Sequence, residues 1–583
     1  MILQALYEYY ERKAADPESG IAPEGWEWKE IPFLAVINNE GDFVQFQDTR
    51  QGEGKKLRAQ KFLVPTLGEK KGSGIKSNTL WENLEYMFGV GAKEGQSISR
   101  IQEQHQAFKQ KIDELRGDSL AFKAIKSFVA KNHFDAIKKD PIWDTVFERN
   151  QNLLIYFESV GPVSDLQEIR EAVNVNRKGS GVYGYCLVSG ESGELVRLEP
   201  PIRGVKGANP MGASLVAVNN EILNGKNVGP TPAFASFMKQ QGFNSPISSS
   251  ASFGYTTALN VLLGRDSPNK VGIGDATVVF WAQKKETSFD FESKFVWFFN
   301  SDKDNPDRNV QAVKSLYEAT RTGRMPLDED NRFYVLGLAP NAARISVRFW
   351  KTGTIRGFAE KIKQHFVDFE IIHGAKEPEH LSLYQILSAT VFEHKMDNVP
   401  PNLAGSVVVS ILDGTPYPQT LLQQCIRRIR AEQQVTRARA AILKACINRF
   451  NRLHDKTEKE VLMSLDRSNT NAAYRLGRLF AVLEKIQEEA SPGINATIRD
   501  RFYGAASATP ITVFPQLLKL KNHHLAKLNP GRKMNFEKKI GEIFDALKDD
   551  LPAHLTLDEQ ARFAVGYYHE RQDFFTKKDN GKQ

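Results

Sequence analysis

The apolar positions of this chain change period from one end to the other. Leu3, Leu6, Tyr7 and Tyr10 recur three or four residues apart and predict an N-terminal helix; FLAVI (33–37) and FVQF (43–46) then flank the polar turn Asn38–Asp42 as the arms of a hairpin do. Helical spacing returns at Ile98, Ile101, Phe108, Ile112 and Leu115, and again over 118–138. NLLIYFE (152–158), VYGYCLV (182–188), SLVAV (214–218), ATVVFWA (276–282), KFVWFF (294–299) and FYVLGL (333–338) read as strands, with a helical stretch at Tyr255–Leu263 between glycine-rich connections. ARISVRFW (343–350) alternates strictly, which puts Ile345, Val347 and Phe349 on one face and Arg344, Ser346, Arg348 and Trp350 on the other. That second face fits either a nucleic-acid backbone beside an aromatic platform or an edge strand protected by charge.

After residue 355 the strand signals fade, and the chain reads as helices joined by short connectors that contain Pro400, Pro401, Pro416 and Pro418. Apolar residues from Leu421 to Leu453 fall three or four apart except for one wider gap before Val435, which predicts one long amphipathic helix. Its polar positions hold Arg427, Arg428, Arg430, Arg437, Arg439, Lys444, Arg449 and Arg452 against the single acid Glu432. With almost no acids for pairing four residues away, these arginines are candidates for a phosphate backbone; the alternative is a solvated helix face. From Met463 four periodic segments (469–490, 510–528, 534–549 and 557–575) predict a four-helix bundle, and Thr556 to Glu559 has capping-box spacing at the last of them. The expected architecture is therefore α+β and multidomain: a mixed region over 1–365 and a helical region over 366–583, with 463–583 as its bundle.

At 583 residues the chain is too long for one ordinary core. A net charge of +8 is a mild basic excess that becomes informative only where it is concentrated. Cys186, Cys425 and Cys446 are odd in number and widely spaced, which predicts buried free thiols and argues against a disulfide framework or a zinc site. Glu8 and Glu11 sit among the apolar residues of the N-terminus where a signal peptide would be basic and then apolar, and no apolar run nears the roughly 18 residues that a membrane span needs. A cytoplasmic protein without membrane contact is expected.

The charge is concentrated in KKLRAQKFLVPTLGEKKGSGIK (55–76), where Lys55, Lys56, Arg58, Lys61, Lys70, Lys71 and Lys76 face only Glu69. Lysine and arginine hold phosphates, while small groups such as Gly72, Ser73, Gly74, Ser77 and Asn78 let a backbone or an amide approach base edges. Thr79 to Glu82 has capping-box spacing and predicts a helix that starts near Leu80 with its positive end towards the same region. By charge alone, the segment suits either a nucleic-acid groove or a solvated surface loop. Asn78 is the first candidate for a base contact, because an amide both donates and accepts.

MILQALYEYYERKA (1–14), SGIKSNTLWENLEYMFG (73–89), IRGVKGANPMGASLVAVN (202–219), SASFGYTTALNVLL (250–263) and GDATVVFWA (274–282) together resemble the large subunit of the type I-C CRISPR Cascade surveillance complex, in the family's order and along the whole chain. The resemblance implies a non-enzymatic, cofactor-free subunit of a crRNA-guided complex. It implies reading of the protospacer-adjacent motif (PAM) on duplex DNA, help in opening the duplex and stabilising the R-loop, and help in presenting it to a separate nuclease-helicase. The implied partners are the crRNA-bearing backbone and processing subunits, a small subunit, target double-stranded DNA and its displaced strand. It also implies a small subunit made by translation starting inside the same gene, for which Met463 is the fitting start.

Three other motifs point elsewhere and fall short. GEKKGSGIKS (68–77) spaces Gly68 and Gly74 by five residues and puts Ile75 before Lys76, so the register of a phosphate-binding P-loop is lost. Gly179, Gly181 and Gly184 form a GxGxxG that runs into a strand, where a dinucleotide site needs a helix; a glycine-rich hairpin that touches backbone through Arg177 and Lys178 fits better. His454–Asp455 is the dipeptide of HD-type metal phosphohydrolases, but the remaining C-terminal histidines (His523, His524, His554, His569) lack matching acids. A metal nuclease and a purely structural scaffold remain the alternatives to the nucleic-acid reading.

Overall fold

The computed structural model describes residues 1–54, 57–67, 74–91, 97–175, 181–218, 220–223, 226–230, 239–284, 290–299, 307–322, 331–454, 457–545, 547 and 551–575. The chain divides into two compact units, Met1–Ser267 with Pro340–Ser346, and Pro268–Ala339 with Val347–Gln583. The architecture is α+β, with strands and helices mixed as far as Thr354 and only helices among the described residues after it.

The first unit holds β1 (Trp26–Glu30), β2 (Phe33–Ile37), β3 (Phe43–Asp48), β4 (Lys61–Pro65), β5 (Trp81–Glu82), β6 (Leu153–Phe157), β7 (Gly161–Pro162), β8 (Tyr183–Tyr185), β9 (Ser192–Glu194), β10 (Asn220–Leu223) and β11 (Lys226–Pro230). Its central sheet runs β3-β2-β6-β5, with β2 antiparallel to β3 and parallel to β6. All five residues of β2 are buried, which explains why FLAVI is a continuous apolar run rather than an alternating one. The parallel pairing requires a crossover, and helices Ile98–Asp113 and Leu120–Ala130 lie within it. Gly41, at φ 78°, turns the β2–β3 hairpin; a Cβ there would lie 2.4 Å from the Ala124 carbonyl oxygen.

The second unit contains the antiparallel meander β12 (Lys270–Ile273), β13 (Ala276–Ala282), β14 (Arg332–Asn341) and β15 (Arg344–Thr354), whose β14–β15 tip counts with the first unit. One apolar core then continues from Val271 to Tyr568 through the helices. It includes residues of Arg437–Leu453 and of Leu557–Asp573, so the region after Met463 shares a core with what precedes it.

Several expected elements differ. KFVWFF lies in helix Phe291–Phe299, because Phe291, Phe295, Phe298 and Phe299 are the buried positions, at spacings of four, three and one. SLVAV forms no strand; Ser214 makes only an isolated bridge to Arg344. The Leu421–Leu453 segment is two helices, Gln419–Glu432 and Arg437–Leu453, broken at Gln433 (φ 52°), with the Thr436 hydroxyl accepting from the Arg439 N–H at 3.4 Å. Among the described residues after Met463 are five helices: Ala472–Ala490, Ile498–Ala506, Pro510–Leu525, Pro530–Phe544 and Leu557–Asp573. The unexpected one, Ile498–Ala506, is started by a Thr497–Asp500 capping box. In β15 only Ile345 and Phe349 are buried, and Val347 is exposed on this edge strand; Phe349 packs over Gly337, where a side chain would collide with its ring.

The three cysteines are free and buried. Among the described residues no helix is long and apolar enough to cross a membrane.

Two deeply buried histidines make the second unit sensitive to acid. Burial, reinforced by Arg449 and His380, holds His365 well below the ordinary imidazole range, and its Nδ1 pairs with the Tyr417 hydroxyl at 2.8 Å. Burial and Lys444, partly offset by Asp466, lower His569 to about 3, with its Nδ1 2.9 Å from the Tyr474 hydroxyl. The unfolded chain binds protons at both sites below about pH 6.5 while the folded chain does not, so stability falls as pH drops through 6.5 towards the folded values. Lowering the pH from 7 to 5 should therefore cost about 2 kcal/mol at His569, with His365 acting in the same direction. Urea denaturation at both pH values checks this, and His569→Gln should flatten the acid limb by about 2 kcal/mol between pH 7 and 5.

Candidate nucleic-acid interface

The β1–β4 ribbon is the rigid base of the basic segment. Trp26 pairs with Pro65 at one end and Glu30 with Lys61 at the other, and the Thr66 N–H donates to the Gly25 carbonyl at 2.9 Å. Lys61 is exposed. Arg58 is exposed too, and its guanidinium meets Asp266 at 2.9 Å in a solvated pair of small energetic weight. Lys55, Lys56, Lys70, Lys71 and Ser73 lie outside the described residues, as do Arg177 and Lys178 of the glycine-rich hairpin. Gly74 is exposed, and a Cβ there would meet nothing within 4 Å.

Beyond Gly74 the segment turns inward. Lys76 is half-buried, while Ser77 and Asn78 are buried. The Ser77 hydroxyl donates to the Asn78 carbonyl at 2.9 Å; the Asn78 backbone N–H and side-chain amide both donate to Glu82 Oε1, each at 2.9 Å. Glu82 is thus spent on Asn78 rather than on a helix cap. The helix starts later than expected, at Leu84, where the Asn83 side chain accepts from the Tyr86 N–H at 3.3 Å, and Leu80 (φ 72°) forms the bend between. Trp81 is fixed by donation from its indole N–H to the Pro65 carbonyl at 2.8 Å.

Next to this bend the first unit contains an open cavity of about 450 Å³. Trp26, Trp81 and Phe253 give it aromatic walls, and Asn78, Asn152 and Asn209 bring amides to it. Lys29 and Arg203 supply cations, with Lys29 Nζ 5.5 Å from the centre of the Trp81 ring and Arg203 paired at 3.2 Å with Glu27, the only acid in the lining among the described residues. Asn260 holds the Pro201–Arg203 wall, accepting from the Arg203 N–H at 2.8 Å and donating to the Pro201 carbonyl at 3.1 Å. Sequence reading passed over Lys29, Arg203 and Asn152, because they come from three distant stretches; the one available signal was the Lys29 alternation with Trp26 and Trp28 in WEWKE.

A sequence model described as CRISPR-associated protein (Cas_Csd1) matches residues 6–575, nearly the whole chain. The chain belongs to this CRISPR-associated family. No curated protein matches it at a significant level.

Within this Csd1-family chain the other arginine candidates separate by environment. Arg437 is buried, and its guanidinium donates to the carbonyls of Pro378 (2.5 Å) and Glu379 (3.0 Å). Arg439 is fully buried and donates to the Ala389 and Gln434 carbonyls, each at 2.9 Å, and to Glu432. Arg439 holds the break between the helices, Arg437 ties the second helix to the 378–379 carbonyls, and neither has a free face for a phosphate. Arg427 and Arg430 are exposed, while half-buried Arg428 pairs with Glu432 and lies over the Phe392 ring. Arg348 is exposed and paired with Asp275 at 2.8 Å, and Arg344 is half-buried. Trp350 stacks on Tyr334 at 5.4 Å, so the aromatic platform expected beside Arg348 is partly taken up within the fold.

His454 ends helix Arg437–Leu453 with its ring stacked on Phe450 at 4.1 Å and Nδ1 2.8 Å from the Phe450 carbonyl oxygen, and Asp455 lies outside the described residues. Among the described residues no three His, Cys, Asp or Glu side chains are grouped to hold a metal.

Proposed function

We propose that this Csd1-family chain is the non-catalytic large subunit of a type I-C, crRNA-guided Cascade complex, and that the 55–83 segment docks on the PAM duplex. The observation that supports it most is the combination of family membership with a basic segment carried by the β1–β4 ribbon, in which Arg58, Lys61 and Gly74 face solvent. In this reading Lys55, Lys56, Arg58, Lys61, Lys70, Lys71 and Lys76 neutralise phosphates, Gly74 lets the backbone approach, and Asn78, oriented by Glu82, reads a base edge. Guide pairing supplies the remaining specificity, as RNA-guided systems arrange it. Exposed Arg427 and Arg430 are the remaining candidates on their helix for the displaced strand. The crRNA-bearing subunits, a small subunit and the nuclease-helicase are the proposed partners.

The test is duplex binding by the reconstituted complex at several salt concentrations. Lys61→Ala with Lys76→Ala should weaken binding to all duplexes and reduce the slope of log K against log salt by about 0.9 per lost phosphate contact. Asn78→Ala should cost about 1–3 kcal/mol of discrimination between tagged and untagged duplexes, with a smaller effect on total affinity. Equal binding by both variants removes the segment from the mechanism and leaves a scaffold. Metal-dependent, EDTA-sensitive cleavage by the isolated chain would overturn the non-catalytic assignment.

The proposal extends to separate production of 463–583 as the small subunit. Sequencing the N-terminus of a short co-purifying product tests it: a product beginning at Met463 supports the idea and any other start counts against it. Released in this way, helix Leu557–Asp573 would uncover the face that helix Arg437–Leu453 covers in the full chain, so the short product should need a partner surface of similar apolar character.

A further inference from the structure

We infer that the 450 Å³ cavity of the first unit is a pocket for a single unpaired nucleotide, with the base among Trp81, Phe253, Asn152 and Asn209, and the phosphate at Lys29 and Arg203. The inference rests on the reading of the chain as a nucleic-acid-binding subunit and adds a site separate in chemistry from the phosphate-gripping segment. Volume is the first argument, since the cavity falls in the range of sites that enclose small ligands. Wall chemistry is the second. Both indole N–H groups are already committed, Trp26 to the Asn174 side chain at 2.9 Å and Trp81 to the Pro65 carbonyl, so what the two residues offer the cavity is ring surface.

The amides complement that surface. Asn152 is half-buried, and its side chain makes no hydrogen bond among the described residues; Asn209 commits its Oδ1 to the Met211 N–H at 2.9 Å and keeps its NH₂ group. A ligand that satisfies ring faces and unspent amides together is planar and carries both donors and acceptors along its edge, as a nucleobase does. The mouth fixes the rest of the molecule. Two cations against one carboxylate favour an anionic tail, and the Lys29 ammonium, now over the Trp81 ring, is the group a phosphate would draw aside as a base stacks in its place.

The experiment is saturation-transfer NMR on the full chain with the 5′-monophosphates of adenosine, cytidine, guanosine and uridine and their deoxy counterparts as probes. Base protons of at least one nucleotide should receive saturation. Thr257→Phe, which fills the cavity from helix Ser249–Leu262, and Asn152→Leu, which removes an amide at constant size, should each lower that signal at least fivefold with unchanged thermal melting. A preference for ribonucleotides assigns the pocket to an RNA strand and a preference for deoxynucleotides to DNA; equal signals mean that it takes either. Absence of saturation for every nucleotide, or undiminished signal in both variants, overturns the inference. Lys61→Ala with Lys76→Ala should leave the nucleotide signal intact. Loss of duplex binding with the signal retained, or the reverse, therefore shows which of the two assignments has failed.

Discussion

Asp368→Ala will destabilise the second unit by about 3–5 kcal/mol, because it strands a buried guanidinium. Asp368 lies near the end of helix Ile355–Phe369, and its side chain is fully buried. Its Oδ2 accepts from Arg449 Nε at 2.9 Å; its Oδ1 accepts from Arg452 at 2.9 Å and from Gln364 at 3.0 Å. Arg449 is only 2% exposed, donates further to the Ser410 carbonyl at 3.2 Å, and lies 4.3 Å from the Tyr417 ring centre. Removing the carboxylate leaves those weaker partners to carry a whole charge in a medium that solvates it poorly. The check is urea denaturation of the variant beside Asp368→Leu/Arg449→Met. Replacing both charges by apolar groups of similar size should recover most of the loss. If the double variant is as unstable as the single one, packing at this site matters more than charge.

Gly477→Ala should be comparably damaging for a steric reason. Helices Ala472–Ala490 and Leu557–Asp573 cross where Gly477 faces Gly566: a Cβ on Gly477 would sit 1.9 Å from the Phe563 carbonyl oxygen, and one on Gly566 would sit 2.1 Å from that of Tyr474. Each obstacle is backbone, so no side-chain rotation relieves it. The helices would have to separate, and separation strains the buried Arg478–Glu570 pair (2.9 Å) and the Tyr474–His569 hydrogen bond beside the crossing. The cost should be about 3 kcal/mol, at the upper end of overpacking effects. Gly541→Ala is the control, since a Cβ on that exposed helical glycine meets nothing within 4 Å; it should be neutral or stabilising by up to about 1 kcal/mol. Thermal melting of the two variants beside the parent decides it, and a Gly477→Ala protein that melts with the parent would mean the helices cross with room to spare.

Legibility in the sequence followed the length of the periodic signal. The continuous run of β2 and the seven-residue β13 show in the apolar pattern, because each buries a whole stretch. KFVWFF misled because its five consecutive aromatic and β-branched residues satisfy a strand window, and the helical period becomes visible only when Phe291 is included. The long basic helix misled at its centre: the gap before Val435 marked a real break, yet the apolar spacing on either side resembles one continuous face.

The candidate interface was legible as composition and only partly as placement. The concentration of charge over 55–76 is a property of the sequence. That Ser77 and Asn78 turn inward depends on Glu82, whose spacing from Thr79 imitates a cap and whose carboxylate is instead used on Asn78. The cavity was illegible, because its walls come from β1, the bend before β5, the residue before β6, the 200–211 loop and helix Ser249–Leu262.

By itself the sequence determined the kind of protein: its ordered blocks, the passage from mixed strands to helices, and the amount of positive charge in each stretch. Only the tertiary structure decided which of those charges face solvent. Arg437, Arg439 and Arg449 look the same in sequence as Arg427 and Arg430, but the first three are buried against carbonyls and carboxylates, and Asp368 stands 81 positions from the Arg449 it neutralises. The reason is physical: a charge's own chemistry is local, whereas the groups that compensate it in a low-dielectric interior are brought to it by folding.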